Sequence, residues 1–321
     1  MKNQNIRTKA LVVGDVMLDH SIFGSATRLT PEGPVPVIVK NRVEDSLGGA
    51  GFVSKVLSDL DIEVTLASVL GVDDSSATIL DYCKLYGIDS SQILMDQSLV
   101  TSKKTRIYAS GHLVARLDNE DRYEMTSSVK NQLLNSLTSL FKHQDFKVCI
   151  ISDYNKGFCN EYFIVELIKI CKTNNIITLV DPKTEDVEKF RGCDLIKPND
   201  NEAAKILGVT RDALPDPKIV VETISRTLDI PNVLYTRGSQ GMVLFTQNEI
   251  VNIDAIKQEV FNVVGAGDSV LAGLAAGILN GLSIKKASYF ANDLAGEMVS
   301  RLSRKVSLSD FIKSRLIANK L

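Results

Sequence analysis

Few residues here are of the kinds that build metal knuckles or disulfide scaffolds. There are five cysteines, Cys83, Cys149, Cys159, Cys171 and Cys193, an odd number at wide and irregular spacings. Nothing resembles a C-x-x-C pair or a disulfide framework, so reduced and mostly buried thiols are expected. The three histidines, His20, His112 and His143, are scattered, which argues against a histidine-rich metal site. No run approaches the roughly 18 apolar residues that a spanning helix needs. Val270 to Leu279 is apolar but short and interrupted by alanine and glycine, and it reads as a buried helix. The opening M-K-N-Q-N-I-R-T-K-A lacks the apolar stretch of a secretory signal. Formal net charge is only -2, which argues against a generally basic nucleic-acid binder. The phosphate-loop pattern G-x-x-x-x-G-K-[ST] is absent too, as are internal repeats and low-complexity tracts. These absences lead us to expect a cytoplasmic protein without a nucleic-acid or membrane partner.

What is present is a core-forming chain of 321 residues, 44% of them hydrophobic. Short β-branched runs alternate with longer helical patterns. Strands are predicted at Ala10 to Val13, Lys147 to Ser152, Ile176 to Val180, Leu195-Ile196 and Asn232 to Thr236. Helical spacing runs from Asn160 to Thr173 and from Asn201 to Leu207. This alternation predicts a parallel sheet covered by helices on both faces, an α/β fold. Two regions break the pattern. Pro34 to Val43 is extended, and Thr105 to Asp118 reads as two short strands around a glycine-containing turn. Together they suggest a small additional sheet, either a lid over a ligand or an edge extension.

Ligands of open α/β sheets bind beyond the carboxyl ends of the strands. The polar groups ending these strands are Asp15, Asp153, Asp181, Asn199 and Thr236. The sharpest local feature is Val264-Gly265-Ala266-Gly267-Asp268-Ser269, directly before the apolar helix. Small residues there let backbone N–H groups approach an anion, and the helix dipole favours negative charge. Asp268 in the first turn is placed to take a proton from a hydroxyl attacking a phosphate. On spacing alone, a plain helix cap is the favoured reading, because short glycine-containing helix starts are common.

G-A-G-D near the end of an α/β chain of this length resembles the ribokinase-like (PfkB) carbohydrate kinases. Three further marks follow the family's order: Gly48-Gly49, the N-x-x-E of Asn199 to Glu202, and the T-x-G-x-x-G of Thr236 to Gly241. The resemblance implies a three-layer α/β/α sandwich over residues 1–321, with lid strands drawn from about 19–45 and 101–118. It also implies ATP and Mg²⁺, possible use of K⁺, and a homodimer formed through the lid. Gly265, Ala266 and Gly267 would form the anion hole and Asp268 the catalytic base. Asn199 and Glu202 would organise Mg²⁺ through water. Thr236, Gly238, Gly241 and Asn292 would contact the nucleotide.

Within that family, Val12 to Asp19, Arg28 to Val37, Ser152 to Gly157, Asp181-Pro182-Lys183, Lys189 to Gly192 and Ala291-Asn292 resemble one subgroup. These are the kinases of ADP-heptose biosynthesis, which phosphorylate O1 of D-glycero-β-D-manno-heptose 7-phosphate. A stand-alone kinase module is the expectation, because no nucleotidyltransferase segment follows. The implied sugar site comprises Asp15, Asp19, Gly48, Gly49, Phe52 and Asp153, with Lys104, Arg106, Arg116 and Lys183 as candidate phosphate ligands. Three positions depart from the family pattern. Asn262 and Val264 replace an Asp, whose charge belongs to a monovalent-cation site, and a Thr. Phe52 replaces an Asn that contacts sugar. These departures leave open a kinase for another sugar phosphate or a nucleoside, and a sensor that binds without turnover.

Overall fold

The computed structural model describes residues 9–184, 186–257, 259, 264–300 and 314–315. Asn262 lies outside them. Thirteen strands and eight helices are seen among the described residues. In chain order the strands of the larger sheet are β1 (Lys9–Gly14), β4 (Glu63–Leu70), β5 (Asp89–Met95), β8 (Phe146–Asp153), β9 (Ile177–Pro182), β10 (Leu195–Ile196), β11 (Asn232–Thr236), β12 (Met242–Thr246) and β13 (Glu249–Ile253). They lie in the order β13-β12-β11-β10-β9-β8-β1-β4-β5.

The central strands are apolar on both faces, which is why their sequences read as near-continuous β-branched runs. Ala10 and Val12 of β1, with Val148 and Ile150 of β8, join one core. Leu11, Val13, Cys149 and Ile151 join the other. The first core is closed by α1 (Ala50–Asp59), α2 (Asp74–Leu85), α7 (Ala266–Leu279) and α8 (Ile284–Val299). The second is closed by α3 (Ser127–His143), α4 (Glu161–Thr173), α5 (Asp200–Leu207) and α6 (Pro217–Leu228). The result is the three-layer sandwich expected from the alternation.

The sheet is parallel from β5 through to β11, but β12 and β13 at its edge run antiparallel. The reason is loop length. Five residues, 237–241, join β11 to β12, too few for the crossover that a parallel neighbour requires. The β12–β13 turn then uses Gln247 and Asn248, both with positive φ, 50° and 61°, as a tight hairpin turn demands.

A second, four-stranded sheet has the order β3-β2-β6-β7. Its strands are β2 (Val16–Leu29), β3 (Pro36–Gly49), β6 (Lys103–Ala109) and β7 (His112–Asn119). Asp15 alone separates β2 from β1. On the return, the Ala50 N–H donates to the Asp15 carbonyl at 3.0 Å. Gly49 turns the chain there with φ 60°, and a Cβ on it would lie 2.3 Å from the same carbonyl. A side chain at 49 therefore both strains the backbone and pushes the two sheets apart. No helix among the described residues is long and apolar enough to cross a membrane.

Phe52, on α1, is 1% exposed and belongs to the first core. Replacing it with alanine removes a fully buried ring. Phe52→Ala is expected to lower unfolding stability by about 3–5 kcal/mol, read from urea titration.

Candidate active site

The carboxyl ends of the parallel strands deliver Asp153-Tyr154, Asp181, Lys197-Pro198-Asn199 and Thr236 to one edge, and the start of α7 arrives opposite them. A cavity of about 1170 Å³ opens between these elements, ample for a nucleotide-sized ligand. Asn199, Thr236, Gly238, Gly241, Asn292, Lys183 and Gly265 to Asp268 all line it. Ile256, Val270, Ala295 and Val299 supply apolar wall.

Gly265 caps α7 with φ 83°, a left-handed conformation that suits glycine. The helix therefore starts at Ala266, four residues before its apolar run. Its first backbone N–H groups have no partner within the helix and aim at the cavity end. Lys197 reinforces that end. It is 1% exposed, and its Nζ would lie 3.4 Å from a Cβ on Gly267.

Asp268, in the first turn of α7, is 4% exposed. Both its oxygens accept from the Tyr154 hydroxyl, at 2.7 and 2.9 Å. Burial, and then the Asp268 charge, push the Tyr154 phenol well above its ordinary pKa, so it stays a proton donor. The Lys183 ammonium sits 4.6 Å from the Tyr154 ring centre and 2.9 Å from Asp181. Lys197 pairs with the other Asp181 oxygen at 3.0 Å. Burial works against charge on Asp181, but Lys183 and Lys197 outweigh it and hold the carboxyl below its ordinary value. Burial likewise opposes charge on Lys183, and Asp181, Tyr154, Asp268 and Glu202 more than offset it.

Asn199 and Glu202 form a reciprocal capping box on α5. The Asn199 side chain accepts from the Asn201 and Glu202 N–H groups at 2.9 and 3.0 Å. Glu202 accepts from the Asn199 backbone and side-chain nitrogens, both at 2.8 Å. Burial, and then Asp181, raise the Glu202 pKa. Thr236 bridges to Asn199 across the strand ends, and Asn292 donates to the Asp254 carbonyl at 2.9 Å. Val264 is 41% exposed at the approach to the turn.

The candidate sugar ligands divide into two groups. Asp15 is turned inward: its carboxylate accepts from the backbone N–H groups of Tyr154, Lys156 and Phe158 at 2.8, 3.1 and 3.4 Å. Asp153 pairs with buried Lys189 at 2.7 Å. Both hold the loop that carries Tyr154. On the smaller sheet, Arg106 binds Asp19 at 2.6 Å. Gly48 lets that carboxylate come close, since a Cβ there would stand 2.8 Å from Asp19 Oδ2. Lys104 is in register with Asp19 on one side and Asp118 on the other. Burial holds its ammonium below the ordinary value, with Glu120 pulling the other way. Arg116 faces Arg106 across the hairpin, half exposed and paired with Asp118 at 3.0 Å.

Tyr154 and Lys197 are the site groups that sequence patterns left without a role, whereas Asp181 was expected among the polar strand ends. Their signals are the short runs Asp153-Tyr154-Asn155-Lys156-Gly157 and Lys197-Pro198-Asn199. Each acquires meaning only when the strand ends meet α7.

The pfkB family of carbohydrate kinases matches residues 7–310. The chain belongs to this family. It is 37% identical over 295 residues to the bifunctional protein HldE of Trichlorobacter lovleyi, and 34% identical over 294 residues to that of Helicobacter pylori. Each alignment covers 92% of this kinase, which spans 60% and 63% of those relatives' lengths. Among solved structures, phosphofructokinase-2 from Escherichia coli in complex with potassium superposes with a TM-score of 0.79 at 15% identity, covering 98% of this chain and 100% of that one. Ribokinase from Arabidopsis thaliana, complexed with ribose and ATP, gives 0.72 at 16%, covering 97% and 98%. These likenesses are of fold, and the fold is ribokinase-like.

Burial, and then the Asp153 charge, raise Asp15 from 3.8 to about 6, against the pull of its three N–H donors. The folded protein keeps this proton after the unfolded chain has lost it, so Asp15 costs stability as pH rises from about 4 to about 6. Above that range the penalty is constant. Wild type is expected to lose stability relative to Asp15→Asn between these pH values and then run parallel to it, read from paired urea titrations.

Proposed function

We propose that this kinase transfers the γ-phosphoryl group of ATP to O1 of D-glycero-β-D-manno-heptose 7-phosphate, giving the 1,7-bisphosphate for ADP-heptose synthesis. The observation that carries the reaction type is Asp268: a buried carboxylate in the first turn of α7, beside the glycine turn and Lys197. The heptose assignment draws on the HldE relatives and the subgroup runs such as Arg28 to Val37.

In this reading ATP lies in the large cavity, against Thr236, Gly238, Gly241 and Asn292. Its γ-phosphoryl group meets the backbone N–H groups at the start of α7. Lys197 and Lys183 balance the charge that spreads over the phosphoryl oxygens. Asp268 takes the proton of the O1 hydroxyl as that oxygen bonds to the γ-phosphorus, and ADP leaves with the electrons of the broken bond. Asp19, held by Arg106, contacts sugar hydroxyls, while Lys104 and Arg116 face the 7-phosphate.

Mg²⁺ fits the same arrangement through water. Asn199 and Glu202 bind each other, and no cluster of three acidic, His or Cys ligands exists among the described residues. An ion held by ATP phosphates and water needs no such cluster. When bound, it neutralises the β- and γ-oxygens.

Two further assignments belong to this reading. The exposed apolar residues Leu29, Val39, Leu113 and Leu117 of the smaller sheet support a homodimer through that sheet, which then acts as lid. Five buried free cysteines support a cytoplasmic location.

Asp268→Asn keeps size and polarity but removes the base. It is expected to cut sugar-stimulated ADP release by about 10²–10⁴-fold with ATP affinity by calorimetry unchanged. Turnover near that of wild type would sink the assignment.

A further inference from the structure

Tyr154 stands where a kinase base would otherwise meet water. Its single hydroxyl proton is shared between the two Asp268 oxygens, at 2.7 and 2.9 Å. Beyond that bond, the residue is fixed from two directions. Its backbone N–H is held by Asp15 at 2.8 Å. Its ring lies against the Lys183 ammonium. Lys183 in turn is tied to fully buried Asp181. A phenol held this firmly occupies the position beside the base that an attacking hydroxyl has to take.

We propose that Tyr154 is a positioning residue that caps Asp268 in the absence of sugar and so suppresses hydrolysis of ATP by water. The inference rests on the reading of Asp268 as the base. The unwanted reaction is specific. A water proton passes to Asp268, the water oxygen bonds to the γ-phosphorus, and the bond from that phosphorus to the bridging oxygen breaks. ADP departs with the electron pair and inorganic phosphate remains. A water molecule is smaller than any sugar and is always present, so steric selection alone does not exclude it.

Tyr154 blocks this route at the base. With the phenol seated against both oxygens of Asp268, a water must displace it before its proton can pass to the base. The phenol does not substitute as a nucleophile, because burial and the neighbouring Asp268 charge keep it protonated. When sugar binds, the energy of its other contacts displaces the phenol from one oxygen of Asp268, which a lone water cannot do. Tyr154 keeps one oxygen of Asp268, and the attacking hydroxyl takes the other. The retained bond then holds the carboxylate plane at the correct angle for the transfer.

Tyr154→Phe removes the hydroxyl and preserves the ring over Lys183. With MgATP and no sugar, its ADP release is expected to rise about tenfold or more over wild type, with inorganic phosphate formed in equal amount. The double variant Tyr154→Phe/Asp268→Asn is expected to lose this gain, because the exposed base is gone. A merely structural tyrosine predicts a loss of activity and no such gain. Tyr154→Leu, read the same way, serves if the Phe variant fails to fold. Unchanged or lower sugar-independent release in a folded variant would overturn the cap. The single variant Asp268→Asn separates the two ideas: if it loses sugar-dependent turnover while Tyr154→Phe shows no gain, the base stands and the cap falls. If Asp268→Asn keeps its turnover, the base itself is misassigned.

Discussion

Asp181 sits between two ammonium groups, and the site is arranged around that contact. A fully buried carboxylate is costly unless it is paired. Here Lys183 at 2.9 Å and Lys197 at 3.0 Å supply the pairing. Glu202 and Asp268 also act on Lys183, so the two lysines sit among three carboxylates. One ammonium lies beside Gly267 and the other beside the Tyr154 ring. Removing the Asp181 charge would leave buried Lys197 and half-buried Lys183 without the carboxylate that holds both.

The fold supplies that cluster by topology alone. Parallel strands put their carboxyl ends on one edge, and each end carries one piece: Tyr154 after β8, Asp181 at the end of β9, Lys197 after β10, Thr236 at the end of β11. The start of α7 closes the ring from the other side with Asp268. Asp15 and Asp153 bind the loop beneath Tyr154 instead of facing outward. A strand-end aspartate thus serves ligand or loop according to whether backbone N–H groups converge on it, and only the folded chain decides that.

Much of the scaffold was legible in the residues. The strands after Ala10, Lys147 and Ile176 and the helix from Asn160 announce themselves through β-branched runs and an Asn cap. The antiparallel edge was not legible, because period-2 patterns carry no direction and only the short link 237–241 reveals it. The long β2 was also hidden. Its polar and half-buried second part, from His20 onward, lacks a continuous apolar run. At the site, G-A-G-D is a local pattern and could be read as a helix start that binds anions. Tyr154 touches Asp268 across 114 residues of chain, a relation with no local signature. Phe52 shows the opposite failure. Its place in a sugar-binding motif suggested a pocket wall, yet the ring lies within the core under α1.

The central claim is a phosphoryl transfer to the anomeric oxygen of a heptose phosphate. Phosphorus NMR of a reaction containing the protein, MgATP and D-glycero-β-D-manno-heptose 7-phosphate tests it directly. The account predicts a new phosphorus resonance coupled to the anomeric proton, growing in step with ADP while the 7-phosphate resonance persists. ADP accompanied only by inorganic phosphate, or no ADP at all under these conditions, would contradict it.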